Sequence, residues 1–106
     1  MISFDDFLKV ELRAGTVLEA EEVLGSDKLI KQQVDFGELG TRQVLSGIKK
    51  WYRPSQLVGK QFIYVVNLEP RKIMGFESEA MILATDSEKP IILKPSSKVP
   101  NGTKVR

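Results

Sequence analysis

Five short segments of this chain have the side-chain pattern of β-strands, and turn residues separate them. In the first, mostly apolar side chains at the even positions from Leu12 to Ala20 alternate with more polar ones, as in a strand with one buried face. In the fourth, β-branched and aromatic side chains occupy both faces, which indicates a buried central strand. The predicted strands are 12–21, 30–36, 41–45, 61–68 and 80–85. This succession predicts an all-β fold.

Two short helical segments complete the predicted order. Ser3 and Asp6 have the spacing of a capping box, so we expect a helix at 3–9 whose apolar face packs on neighbouring structure. The segment 48–59 interrupts the strand pattern, and its proline and final glycine suit a short helix or turn. Five strands with a helical connection between the third and the fourth have the order of an OB-fold barrel. A small Greek-key barrel of the SH3 kind is the alternative.

The chain of 106 residues has the length of one domain. We expect a core barrel at about 11–86, with extensions at 1–10 and 87–106. The second extension contains short extended pieces at 91–93 and 103–106 that suit edge strands. A domain of this size removes about two thirds of its unfolded surface from water, so extra apolar strands tend to find a partner. The sequence therefore leaves dimerisation open.

The absent residue types exclude most enzyme chemistry. The chain has no Cys and no His, so thiolate nucleophiles, disulfides, imidazole bases and Cys/His zinc sites are all impossible. Acidic residues cluster at 5–6 and 19–22, but neither cluster lies beside an obvious base, nucleophile or phosphate-binding loop. We therefore predict no catalytic residue, metal site or cofactor. No apolar run exceeds five residues, which predicts a soluble, cytoplasmic protein without membrane contact.

Charge is distributed unevenly along the chain. Residues 1–40 hold 9 acidic and 4 basic side chains, whereas residues 41–106 hold 5 acidic and 12 basic ones. A polyanion such as a nucleic acid would therefore prefer the second part of the chain. The alternative is that these cations are ordinary solvated surface.

The segment 67–78 places adjacent cations between two predicted strands at one end of the barrel. Arg71 and Lys72 suit phosphate groups, and Ser78 can donate to a phosphate or sugar oxygen. Asn67 can contact a base edge. The alternative is an exposed loop in which Asn67 caps a turn.

Two further groups of residues have the composition of a nucleic-acid surface. The segment 49–53 interleaves cations with Trp51 and Tyr52, as a stacking platform for single strands would require. The preferred interpretation of Trp51 is nevertheless a core anchor that holds the connecting helix to the barrel. Arg42 of the third strand lies beside the outward-facing Lys31 of the second, which would extend a basic face. Alternatively, both of these cations pair with nearby acids.

Four segments of the chain resemble, in order, a known domain. The resemblance covers nearly the whole sequence, and the Asn-Leu-x-Pro-Arg-Lys loop with its following Gly, Ser and Met is its most specific part. The segments are 10–15, 25–29, 42–48 and 67–83. They resemble the tRNA-binding OB domain at the C-terminus, or in the separate beta subunit, of methionyl-tRNA synthetase. Free-standing tRNA-binding proteins and endothelial monocyte-activating polypeptide contain the same kind of domain.

The resemblance implies a non-catalytic module that recognises tRNA with little sequence preference and strengthens a synthetase's hold on it. It also implies a homodimer packed through the N-terminal helix and the C-terminal extension, and association with the catalytic part of the synthetase. The tRNA contacts that it implies are Lys31, Asn67, Ser78 and Met81, to which charge adds Arg42, Arg71 and Lys72. Ala80 departs from the usual glycine before that methionine. The alternative function is a dimeric export chaperone that binds peptides through the same domain.

Overall fold

The structure, a computed structural model, describes residues 1–106 and consists mostly of β-strands. The helices are α1 (Phe4–Leu8) and α2 (Pro54–Leu57), and a single 3-10 turn, Gly37–Leu39, joins the second strand to the third. The strands are β1 (Leu12–Glu22), β2 (Ile30–Asp35), β3 (Thr41–Ser46), β4 (Gln61–Val65), β5 (Arg71–Ile73), β6 (Phe76–Ser78), β7 (Met81–Ile82) and β8 (Lys104–Val105).

Five of these strands form a nearly closed antiparallel barrel. Their order is β3-β2-β1-β4-β7, and β8 pairs with the start of β1. The barrel closes where the chain before β7 meets β3, because the Glu79 N–H donates to the Gln43 carbonyl over 2.8 Å. The helical connection α2 lies between β3 and β4. The predicted all-β, five-stranded OB-type barrel with a short N-terminal helix and a C-terminal strand is therefore confirmed.

The long strand β1 serves both sides of the barrel because its pairing changes along its length. Its first half pairs with β4 and its second half with β2, and the register shifts between Val17 and Glu19. A glycine inside a strand often marks a bend or bulge, but the irregularity in β1 lies further along the strand than Gly15. Gly15 has a different role, since a Cβ there would lie 2.6 Å from Cε1 of Phe36 and 2.7 Å from Cγ1 of Val34. Only glycine lets the strand approach the core this closely.

The barrel interior is built around two aromatic rings. Phe36 and Tyr64 are fully buried, and their rings pack edge to face with centroids 5.2 Å apart. Aliphatic side chains of β1, β2 and β3 surround them, together with Phe62 of β4 and Leu57 of α2, and Ile82 of β7 packs against this cluster. Burial of the phenol raises the pKa of Tyr64 well above its ordinary value.

A series of hydrogen-bonded polar side chains also lies inside this apolar core. The Tyr64 hydroxyl donates to Oε1 of Gln32 over 2.8 Å, and Nε2 of Gln32 donates to the Ser46 hydroxyl over 3.1 Å. Gln32 is fully buried, and no buried side-chain nitrogen or oxygen in the protein lacks a hydrogen-bond partner. The chain of hydrogen bonds ties β4 to β2 and β3 across the barrel, because each strand contributes one member.

The side chains that the two helical segments bury differ from those that the sequence predicts. The capping box of α1 is present, but no residue of this helix is buried. Trp51 is 37% exposed, so its interpretation as the core anchor is wrong. Its neighbour Tyr52 takes that role, because its ring packs against the core and its hydroxyl donates to the Pro90 carbonyl over 2.7 Å. Trp51 lies in a turn that precedes α2, and the turn points its ring outward.

The segment predicted as a loop at 67–78 is largely a β-hairpin. β5 and β6 pair antiparallel, and Met74 and Gly75 form the turn between them. The fifth barrel strand, predicted at 80–85, has only two ladder residues, and a single bridge from Ala84 to Ile92 continues it. The predicted C-terminal edge strand is present as β8.

Candidate nucleic-acid interface

The β5–β6 hairpin presents two cations to solvent beside the barrel. Arg71 and Lys72 are exposed, and neither takes part in any of the four ion pairs of the structure. The register places Arg71 opposite Ser78 and Lys72 opposite Glu77. Because both cations lie on a regular strand, their backbone positions are fixed while their charged ends stay available for an anion.

Lys31 reaches the same hairpin from the barrel wall. Its ammonium group lies 2.8 Å from a carboxylate oxygen of Glu21 and 4.3 Å from the centroid of the Phe76 ring. Its side chain is 20% exposed. The alternative in which Lys31 pairs with an acid is therefore the arrangement observed, and a phosphate here would have to compete with Glu21.

Arg42 also has a partner, although not an acid. One guanidinium nitrogen donates to the Val66 carbonyl over 2.6 Å, and the residue is partly buried. The guanidinium group carries five N–H donors, so others remain for an anion. Arg42 therefore supports the end of β4 and keeps its charge near the start of the hairpin segment.

Asn67 joins two parts of the chain through its carboxamide. Its Oδ1 accepts from the Glu11 N–H over 2.8 Å, and its Nδ2 donates to the Lys9 carbonyl over 2.6 Å. These contacts tie the segment after α1 to the end of β4 and differ from the predicted turn cap. Asn67 is exposed, and the second hydrogen of its amide group stays available for a base edge. Arg13, which donates to Glu11, holds the pKa of that carboxyl below its usual range.

Ser78 also forms its hydrogen bonds with backbone groups. It is buried, its Oγ accepts from the Leu45 N–H over 3.0 Å, and its hydroxyl donates to the Ala80 carbonyl over 3.0 Å. A hydroxyl has a single hydrogen, so none is left for a phosphate oxygen. The position of Ser78 instead fixes the hairpin against β3.

Met81 lies at the opening of a small cavity under the hairpin. The cavity measures about 70 Å³, and Met81 is 45% exposed, so it is not a core residue. Ala80, the departure from the usual glycine, is buried in the cavity wall. The remaining lining residues are Leu45, Leu68, Glu69, Arg71, Ile73 and Ser78. The fold thus brings Arg71, Ser78 and Met81 together, whereas Asn67 faces a different groove.

That second groove lies between α1 and β8. It measures about 310 Å³, and its lining is mostly apolar with two cations at the C-terminal end. The side chains that line it are Phe7, Leu8, Val10, Glu11, Leu12, Asn67, Lys104, Val105 and Arg106. The exposed face of α1 and the last strand therefore share one concave surface.

Comparison with known sequences identifies the kind of domain. Residues 12–104 match the sequence profile of the family described as "Putative tRNA binding domain". The chain belongs to this family. The match runs from the start of β1 into β8, so it covers the barrel and the hairpin together.

The curated relatives of this tRNA-binding domain are much longer enzymes. It is 50% identical over its whole length to a methionine–tRNA ligase of Methanothrix thermoacetophila, and 48% identical over 99% of its length to one of Porphyromonas gingivalis. The chain spans 16% of the length of each. It is therefore homologous to one part of these ligases.

Solved structures of similar size show the same fold. A chaperone CsaA of Bacillus anthracis is 42% identical with a TM-score of 0.92, and covers 100% of this chain and 99% of its own. A methionyl-tRNA synthetase related protein of Pyrococcus horikoshii is 36% identical with a TM-score of 0.91, and covers 100% and 98%. The same barrel thus occurs in proteins named for a synthetase and for a chaperone.

The sequence missed three features of the domain's hairpin. Phe76 supports the Lys31 ammonium group, and Nε2 of Gln43 donates to the Glu77 carbonyl over 3.0 Å. Met74 occupies the turn with a positive φ of 51°. Gly75 was the one usable turn signal, whereas the contacts of Phe76 and Gln43 depend on pairing across the barrel.

No group of three or more acidic side chains is placed to hold a metal ion. The two helices are too short to cross a membrane.

Proposed function

We propose that this domain binds tRNA without sequence specificity and strengthens the hold of a methionyl-tRNA synthetase on its substrate. The observation that carries the proposal is the pair of unpaired, exposed cations Arg71 and Lys72 on the hairpin of a tRNA-binding family member. Cationic side chains that contact phosphates release counterions, and they bind the RNA backbone without reading its sequence. The domain itself carries no chemistry and acts as a beta subunit or C-terminal appendage in the cytoplasm.

The proposed contacts fall into two groups. Arg71, Lys72 and Arg42 provide charge to phosphates, and Met81 meets a sugar or a base at the mouth of the small cavity. Lys31 contributes once a phosphate displaces Glu21 from its ammonium group. Ser78 acts by holding the surrounding backbone in place, because its single hydroxyl hydrogen already has a partner. Asn67 holds the segment after α1 and keeps one amide hydrogen for a base edge.

A second candidate function is supported by a specific likeness. The chaperone CsaA of Bacillus anthracis matches this chain along almost the full length of both, at 42% identity. A groove of about 310 Å³, lined by both apolar and polar residues, is available for an extended peptide segment. Under this alternative the domain is a peptide-binding export chaperone, and the hairpin cations have no RNA partner.

Equilibrium binding of both ligand classes distinguishes the two functions. We expect an unfractionated tRNA pool to bind in the micromolar range, with an affinity that falls steeply as salt rises, because binding releases counterions. Suppression of aggregation of a denatured client protein is measured on the same preparation. Stoichiometric client protection without any affinity for tRNA would make the domain a chaperone and overturn the proposed function.

We also propose that the domain is a homodimer packed through α1 and the C-terminal extension. Apolar side chains of the first ten residues remain exposed, including Phe4 at 72% and Leu8 at 48%. They continue into the groove formed with β8. No residue of α1 is buried within its own chain. Packing against a second copy would remove this exposed apolar surface from water.

Replacement of Phe7 by Asp is expected to dissociate the dimer. Phe7 lines the groove and is 37% exposed, so a carboxylate there would be desolvated in the interface but tolerated in the monomer. Gel filtration with light scattering measures the mass. The control is Val58→Asp, at a side chain that is 45% exposed beside α2. A single 11.9 kDa species already in the unmodified protein would contradict dimerisation.

A further inference from the structure

The turn of the β5–β6 hairpin contains a side chain that its backbone does not favour. Met74 and Gly75 both have positive φ, 51° and 83°, as in the tight turns whose central residues are usually Asn, Asp or Gly. Met74 is the only residue other than glycine with a positive φ in the protein. A side chain in this region costs about 1 kcal/mol or more, and Asn tolerates it better. Turn geometry therefore gives no reason for a methionine here.

A second turn lies directly beside this one. In the β1–β2 connection the Ser26 N–H donates to the Val23 carbonyl over 3.1 Å, which places Leu24 and Gly25 at the centre of a turn. A Cβ on Gly25 would lie 3.9 Å from Cε of Met74, so the two turns are neighbours. Leu24 is 97% exposed and Met74 is 55% exposed. We call this pair of side chains the apolar tip.

Exposed cations occur in the segments next to the apolar tip. Lys28 belongs to the β1–β2 connection, and its carbonyl accepts from the Lys49 N–H over 3.0 Å, which places the backbone at 49 beside this connection. Both Lys28 and Lys50 are exposed and lie outside every ion pair, as Arg71 and Lys72 do on the hairpin side. The nearby Glu22 is held by Lys49 at 4.0 Å, which partly neutralises it.

We infer that the apolar tip is a stacking contact for an exposed base face of folded RNA. This inference rests on the proposed function. The face of an unstacked base is flat and apolar, and protein recognition of RNA commonly uses such bases. A methionine thioether is polarizable and makes favourable contacts with aromatic rings. Met74 and Leu24 cover the base while the flanking cations hold the phosphates on either side of it, which explains an apolar pair set among charges.

Met74→Asn separates this role from a structural one, because the two roles predict opposite effects. Asn accepts a positive φ, so the melting temperature should stay the same or rise by about 2–4 °C. Affinity for an unfractionated tRNA pool should fall about fivefold at every salt concentration, since about 1 kcal/mol of contact is lost. The slope of affinity against salt should not change, because no cation is removed.

Two comparison variants complete the experiment. Met74→Leu keeps an apolar side chain at the same strained position and should retain tRNA affinity within about twofold. Val58→Asn removes an apolar side chain of similar exposure, 45%, outside both turns and should leave affinity unchanged. Binding is measured by fluorescence anisotropy with labelled tRNA, and stability by thermal melting of the same samples.

Several results would overturn the inference. If Met74→Asn binds tRNA as tightly as the unmodified protein, the apolar tip makes no RNA contact, while the proposed function stands. If Met74→Asn lowers the melting temperature, the side chain serves to hold the two turns together. If the variant loses client protection but keeps tRNA affinity, the apolar tip binds protein. Absence of tRNA binding by the unmodified protein would overturn the proposed function and this inference together.

Discussion

Replacing Arg71 and Lys72 together with Ala should weaken binding of every tRNA alike, by about ten- to thirtyfold near 0.1 M salt. Both side chains are exposed, and neither forms an ion pair within the protein. Two fewer phosphate contacts should also reduce the slope of log affinity against log salt by about 1.5–2. Anisotropy titrations with several purified tRNAs across a salt series measure both quantities.

A control variant that changes the net charge equally is available just after α2. Lys60 is also exposed and outside every ion pair, so Lys60→Glu lowers the net charge by two units, as the hairpin variant does. The control should retain most of the affinity, because net charge alone contributes little at this ionic strength. Equal losses in the two variants would mean that the hairpin is not the binding site. Unchanged affinity in the hairpin variant would mean the same.

Gln32→Leu should destabilise the fold by about 2–4 kcal/mol, although leucine is close to glutamine in volume. The substitution leaves the Tyr64 hydroxyl without its acceptor and the Ser46 hydroxyl without its donor, in a part of the barrel that water does not reach. A loss of this size corresponds to a fall in melting temperature of about 10 °C or more. Thermal and urea unfolding followed by circular dichroism measure it.

Tyr64→Phe provides the partner for a double-mutant cycle. Alone, it leaves Oε1 of Gln32 unpaired and should cost about 1–2 kcal/mol. Combined with Gln32→Leu, it removes both members of that hydrogen bond, so the double variant should be more stable than the sum of the single effects by about 1 kcal/mol. Strict additivity would show that the buried polar chain does not contribute as a unit.

The barrel strands were predictable because their information is local. Alternation at period two in β2 and the burial of both faces of β4 follow from neighbouring residues alone. In β1 the predicted alternation fails at the register shift, where Val17 is buried and Leu18 is 48% exposed. The sequence missed the hairpin within 67–78, because its turn uses Met74, which is not a usual turn residue. It also placed Trp51 in the core, because periodicity cannot tell which of two adjacent aromatic residues a turn directs inward.

The candidate site was predictable as a region but not atom by atom. Residue types and spacing indicated a cationic segment after β4, and the structure leaves Arg71 and Lys72 free there. The buried position of Gln32 was not foreseen, because a glutamine in a strand normally faces solvent. Its burial is stable only because Tyr64 and Ser46 supply hydrogen-bond partners from two other strands.

The fold class, the succession of barrel strands and the family were predictable from the sequence, because these depend on residue type and local pattern. Which polar side chains are free depends on the folded barrel. Asn67 is bound to a backbone group 56 residues away, and Ser78 to one 33 residues away. Lys31 is held by Glu21 across a strand pair. Such partners meet only when the barrel closes, so no local pattern can show whether a side chain is available to a ligand.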